Sequence, residues 1–398
     1  GLPMPGKTAG WALIFGLVLL LLLGLCGFIW FGRRRLTTVR NLLFVLGLAA
    51  GLSACGHSPT RSGGDSVTFL LGEDRSSRNP YFKLAADYFR TNHLEKTDRE
   101  ISGCRSLLDV RDFLANNRPA SGPWHRINFV VHGNQWTGMN FPVSPDVPRA
   151  TTKSLYEAAF LGLPAGAIDS STQIVIHGCN LGRDTALLVG LSWAFGHASG
   201  VFPVVISARY LNLFDQPGEQ PAPLKRFLAD SRFVIFPSSQ FPGNSLIAKQ
   251  LAEKYPDDTT NWRKALSRLK PDQPGASYVH YFTIPVKWTA IYPDSTNRPT
   301  LDNLPEQYRW IAMQTELSAQ LTDIGIAAQQ FNWTFTKTDY ETTDGQKLPA
   351  LTAEGRATIY CILQPLKEVK NGQVLLMQPE VADRRFYTVV QGGGLGFL

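Results

Sequence analysis

Ile127-Asn128-Phe129-Val130-Val131-His132-Gly133 and Gln173-Ile174-Val175-Ile176-His177-Gly178-Cys179 decide how this chain is read. Each is a short, mostly apolar run that stops at a histidine–glycine step, and the second continues at once into cysteine. Runs of this length, rich in β-branched residues, are strands buried on both faces. Similar runs lie outward from the pair, at Val67–Leu71 before it and Pro203–Ser207 after it. Between them stand helical patterns. One opens at Asn79-Pro80 and runs through Phe82, Ala85, Ala86 and Phe89; others cover Leu107–Leu114, Leu155–Leu161 and Thr185–Phe195. Strands alternating with helices predict an α/β fold, a mostly parallel sheet with helices on both faces.

In such sheets, ligand sites lie beyond the carboxyl ends of the strands. If the two quoted strands are parallel neighbours, His132 and Cys179 come within side-chain reach. A thiol becomes a nucleophile only as thiolate, which a neighbouring base promotes. Histidine titrates near neutral pH and can also protonate a leaving amine. Gly133 permits close approach of a substrate carbonyl, and its N–H and that of Cys179 are candidates for an oxyanion hole. His177 lies two residues before Cys179, on the same strand face by alternation, as a rival base or pocket wall. A metal site from His132, His177 and Cys179 finds no support in ligand spacing, so no metal and no cofactor is expected. Arg183-Asp184 reads as a helix-start charge pair. No G-x-S-x-G elbow is present, which argues against an α/β-hydrolase.

The ordered pair INFVVHG and QIVIHGCNLG, 47 positions apart from His132 to Cys179, resembles the signature of the caspase–gingipain group of cysteine peptidases and its bacterial CHAT-like relatives. HGCNLGRDTALLVGLSWAFG followed by PVVIS is similar to the nucleophile strand, helix and next strand of that group. The resemblance covers roughly 65–210. It implies a caspase-like fold and hydrolysis of peptide bonds in a peptide or protein substrate, with Cys179 as nucleophile and His132 as acid and base. The alternative is a catalytically inactive binding module on the same fold.

The first 55 residues read differently. Trp11–Phe31 is apolar and uncharged, long enough to span a bilayer. Arg33-Arg34-Arg35 follows, then a shorter apolar run from Asn41 ending Leu52-Ser53-Ala54-Cys55. That ending resembles the bacterial lipobox, which implies a signal peptide cleaved before Cys55 and a lipid on its thiol. A start near Leu36 or Val39 would make the first run spurious. With both runs real, the arginines lie between them in the cytoplasm. Either way the rest of the chain is expected outside the cytoplasm, anchored to the membrane of a bacterial cell envelope. His57–Ser66 reads as a flexible tether.

The net charge is +7, but Lys7, Arg33, Arg34, Arg35 and Arg40 stand in 1–55 with no acid. Taking those five from 39 basic residues leaves 34 against 32 acidic, a net of +2. A near-neutral body gives no electrostatic case for nucleic acid. The five cysteines, Cys26, Cys55, Cys104, Cys179 and Cys361, form no disulfide framework and no C-x-x-C pair. Expected domains are the leader at 1–55, a linker at 56–64, the α/β domain at 65–237, a helical connector at 238–275, and an α+β accessory domain at 276–398. Within the last, Tyr278–Tyr292 reads as a long strand. Asp302-Asn303 caps a helix with an apolar stripe of Trp310, Met313, Leu317, Leu321 and Ile324. Phe331–Phe335, Arg356–Leu363, Val374–Gln378 and Phe386–Val390 read as strands, with hairpin turns at Asp344-Gly345 and Asn371-Gly372.

Overall fold

Strand β1 (Ser66–Leu71) is the first element of the described residues, followed by α1 (Tyr81–Thr91), β2 (Arg99–Ile101), α2 (Leu107–Asn116) and β3 (Arg126–Val131). The hairpin β4 (Gly133–Asn134) and β5 (Gly138–Met139) comes next, then α3 (Thr152–Glu157), β6 (Gln173–His177), α4 (Thr185–Ala194) and β7 (Val204–Ala208). The computed structural model describes residues 65–392 except 75–79, 93–96, 98, 158–161, 216–223 and 271–274. The expectations for the two hydrophobic runs, Cys55 and the tether up to residue 64 lie outside the described residues.

β1, β2, β3, β6 and β7 form a parallel sheet, and β15 (Tyr387–Gln391) closes its edge antiparallel to β7. The order is β15-β7-β6-β3-β1-β2. The central strands β1, β3, β6 and β7 are mostly apolar because both faces are covered, while the edge strand β2, Arg99-Glu100-Ile101, is largely exposed. Phe69, Ile127, Phe129, Ile174 and Ile176 pack against Leu107, Val110 and Leu114 of α2 and Leu187 and Leu191 of α4. On the opposite face, Val130 packs with Tyr81, Phe82 and Phe89 of α1. Each such large side chain, fully buried, contributes about 1.5–3 kcal/mol. The helix starts are fixed locally: Ser106 and Asp109 form a capping box on α2, and the Asp184 carboxylate accepts from the Leu187 N–H at the start of α4. Asp184 therefore caps, while Arg183 reaches the Arg209 carbonyl and Asp230 instead of pairing with it.

After β7 the chain enters an antiparallel sheet through β8 (Leu211–Asp215) and β9 (Lys225–Pro237). Helices α5 (Asn244–Lys254) and α6 (Trp262–Leu266) follow, then β10 (Tyr278–Ile291). Helices α7 (Leu304–Met313) and α8 (Thr315–Ile324) lead to β11 (Asn332–Glu341), β12 (Lys347–Pro365) and the hairpin β13 (Lys367–Lys370) and β14 (Gln373–Leu376). The sheet order is β10-β12-β9-β8, with β11 on the other part of β12. Val279 N–H donates to the Arg268 carbonyl, so the odd-numbered residues of β10 point their N–H groups away from β12. Pro285, which has no N–H, falls in that outer set, as an edge strand requires. The expected turns are both present: Gly345 joins β11 to β12, and Asn371-Gly372, both at positive φ, joins β13 to β14.

The chain crosses between the sheets in both directions. β8 and β9, from the stretch assigned to the first domain, belong to the second sheet; β15, from the stretch assigned to the accessory domain, belongs to the first. All described residues lie in one compact unit. One local correction concerns the single helix expected after Asn303. Gln314 is extended, with φ −83 and ψ 97, and divides it into α7 and α8. Trp310, Leu317, Leu321 and Ile324 are buried as the stripe predicts, but Met313, at the break, is 72% exposed.

Candidate functional site

β3 and β6 run parallel, with Val130 opposite His177. The close approach of Gly178 to the Val131 carbonyl carries that register one position further, and His132 and Cys179 are the next residues of the two segments. The two sequence-predicted residues thus lie just beyond the carboxyl ends of adjacent parallel strands. The glycines are needed there. A Cβ on Gly178 would stand 2.6 Å from Leu181 Cδ1 and 3.1 Å from the Val131 carbonyl oxygen. A Cβ on Gly133 would stand 2.9 Å from the Gly138 carbonyl oxygen.

His132 is half-buried, its ring stacked on Tyr81 at 4.8 Å and 30° and set edge-on to Phe82 at 4.8 Å. Tyr81 is itself fixed: its hydroxyl donates to the His177 carbonyl at 2.8 Å, and burial keeps its phenol protonated. The Asn140 N–H donates to the His132 carbonyl at 2.7 Å. That bond makes Gly133–Met139 a non-hydrogen-bonded pair of the β4–β5 ladder, so the Gly133 N–H is left out of it.

Cys179 is half-buried and packs against the second sheet's core. Burial pushes its thiol up to about 11, and the Asn212 N–H directed at the sulfur offsets part of that rise. Cys361, 3% exposed in β12, lies near enough that Cys179 adds to its own rise, to about 12. The structure at rest therefore holds a neutral thiol. Beyond Cys179, Asn180 adopts a left-handed backbone (φ 59), and its N–H donates to the Tyr210 carbonyl at 3.1 Å.

His177 has a different environment. It is 1% exposed and fills a polar network between the two sheets. The Asn212 amide Nδ2 donates to His177 Nδ1 at 3.0 Å, and His177 Nε2–H donates to Asn128 Oδ1 at 3.1 Å. Asn128 Nδ2 donates onward to Thr68 Oγ1 at 3.3 Å, and Thr68 bonds Thr97 at 3.1 Å. Both ring nitrogens are thus engaged with carboxamides, which makes His177 a tie between β6, β3 and β8 rather than a base aimed at substrate. The Oδ1 atoms of Asn180 and Asn212 are buried without a hydrogen-bond partner among the described residues.

The sequence analysis singled out His132, Gly133, His177 and Cys179 but not Tyr81, which stacks on His132, nor Asn128 and Asn212, which bond His177. Asn128 and Thr68 carried a visible signal, each a polar residue inside an apolar strand. Among the described residues no three His, Cys, Asp or Glu side chains come together to hold a metal, and no helix is long and apolar enough to cross a membrane. Comparison with protein-family models, with curated proteins and with solved structures gave no match.

Proposed function

We propose that the chain is a cysteine peptidase of caspase-like fold in which Cys179 attacks the scissile carbonyl and His132 moves the proton. The observation that supports this reading is the register of β3 and β6, in which Val130 lies opposite His177, two positions before each of the two residues. His132 takes the thiol proton, the thiolate adds to the carbonyl, and the imidazolium then protonates the leaving amine; water releases the acyl group. The Gly133 N–H, left out of its hairpin ladder, and the Cys179 N–H are the donors proposed for the oxyanion. The Tyr81 ring under His132 orients the imidazole. Because the resting thiol is pushed up to about 11, this chemistry requires Cys179 to be uncovered when substrate binds.

The same raised thiol favours a second reading, a catalytically silent module that uses this fold for binding. The lipobox-like Leu52-Ser53-Ala54-Cys55 and the arginines before it support an envelope location with a membrane anchor for either reading. Incubation of the purified chain with a mixed peptide library, read by mass spectrometry, separates them. The peptidase predicts cleavage that both Cys179→Ala and His132→Ala abolish. The silent module predicts no cleavage by the parent.

A further inference from the structure

The hairpin β4–β5 follows His132 directly and is held as a rigid turn. Asn134 Oδ1 accepts from the N–H groups of Trp136 and Thr137, each at 2.9 Å, and from the Thr137 hydroxyl at 3.1 Å. Arg149 Nη1 donates to Thr137 Oγ1 at 2.7 Å from the side. Gly138 closes the turn at φ +71, where a Cβ would stand 2.4 Å from the Ala150 carbonyl oxygen. This turn carries Trp136 onto the second sheet. The indole meets Phe233 of β9 edge to face, at 4.9 Å and 84°, and Phe282 of β10 at 5.8 Å and 46°.

Between those two strands runs β12, with Cys361 opposite Phe233 and Ile359 opposite Phe282. The indole therefore fills a slot with two phenylalanine walls and a floor of Ile359 and Cys361. Cys179 packs against the same core cluster, near enough to Cys361 to affect its ionisation. Lys254 Nζ stands 3.8 Å over the Phe233 ring and donates to the Phe233 carbonyl, which steadies that wall. Nothing in the His132–Cys179 chemistry uses the slot, yet it belongs to the cluster against which Cys179 packs, and it holds an aromatic side chain.

We propose that Trp136 plugs a substrate side-chain slot beside Cys179, and that a peptide bearing a large aromatic or branched apolar residue binds by displacing it. The proposal rests on the cysteine-peptidase reading and names its substrate class. Displacement exchanges one apolar group for another in the slot, so its apolar burial is largely conserved.

The test is the rate at which iodoacetamide modifies Cys179 in the full chain at pH 8, followed on the Cys179 peptide by mass spectrometry. Removing the plug exposes the thiol, so Trp136→Ala is expected to react about tenfold faster than the parent, with Trp136→Phe close to the parent. Asn134→Ala releases the turn with the indole still present and is expected to move the rate in the same direction; it also serves should Trp136→Ala fail to fold. A folded Trp136→Ala or Asn134→Ala reacting at the parent rate overturns the plug. Faster alkylation without any peptide cleavage upholds the plug and overturns the peptidase. Cleavage by Trp136→Ala at Phe, Tyr, Leu or Ile upholds the substrate class; cleavage confined to charged residues overturns it.

Discussion

Replacing His177 by leucine removes the centre of the polar network and leaves its neighbours in place. Asn128 is 2% exposed and Asn212 is fully buried, so water cannot replace the imidazole. Asn128 Oδ1 and Asn212 Nδ2 would each lose a partner. An orphaned buried polar group costs about 1–3 kcal/mol, so two cost about 2–6 kcal/mol, with leucine's apolar surface returning roughly 1. The expected loss is about 3 kcal/mol, read as a drop of about 1 M or more in the urea midpoint followed by tryptophan fluorescence. Two companion variants isolate the cause. His177→Gln retains a donor and an acceptor and should recover much of the loss. The triple variant His177→Leu, Asn128→Leu, Asn212→Leu leaves no orphan among the three and should be more stable than His177→Leu alone. The reasoning is refuted if His177→Leu lies within about 1 kcal/mol of the parent, or if the triple variant is as unstable as the sum of its parts.

Three further outcomes follow from the site. With its thiol at about 11, only about one Cys179 in ten thousand is ionised near pH 7, so its alkylation rate should climb tenfold per pH unit well past pH 9; a plateau at pH 8.5 would contradict the burial of the sulfur. The folded thiols of Cys179 and Cys361 ionise above the ordinary value of 9.0, so the stability they contribute is complete below pH 9 and is lost as pH rises through about 11 and 12. At about 1.4 kcal/mol per pH unit, Cys179 alone accounts for about 3 kcal/mol. Thermal melts between pH 8 and 11 should show this decline in the parent, and a weaker one in Cys179→Ala. Gly178→Ala forces a methyl against Leu181 and the Val131 carbonyl, and should lower stability by about 1–3 kcal/mol in the same melts.

The parallel sheet was legible because its central strands are doubly covered and so are mostly apolar; Val67–Leu71, Ile127–Val131 and Pro203–Ser207 each lie within a residue or two of an observed strand, whereas the exposed edge strand β2 carries no such run. β9 went unread because Arg226, Asp230, Ser231 and Arg232 interrupt its pattern. Arg226 and Arg232 find partners far along the chain: Arg226 donates to the Tyr387 hydroxyl and the Pro379 carbonyl, and Arg232 pairs with Asp258 as well as with Asp230 beside it. The break at Gln314 has no glycine or proline to announce it, since the turn is fixed by the packing of α7 and α8. At the site, the His–Gly and Gly–Cys tips were legible because tight backbone approach constrains both glycines. His177 was visible as a residue but not as a structural tie, because one of its partners, Asn212, lies in β8, a strand the pattern did not reveal.

The central claim is that Cys179 and His132 act together. Rapid acid quench of the chain mixed with an activated peptide ester, followed by peptide mapping, tests it most directly. The account predicts an acyl group on Cys179, formed far more slowly in His132→Ala and absent in Cys179→Ala. Acylation that ignores His132, or that falls on another residue, would contradict it.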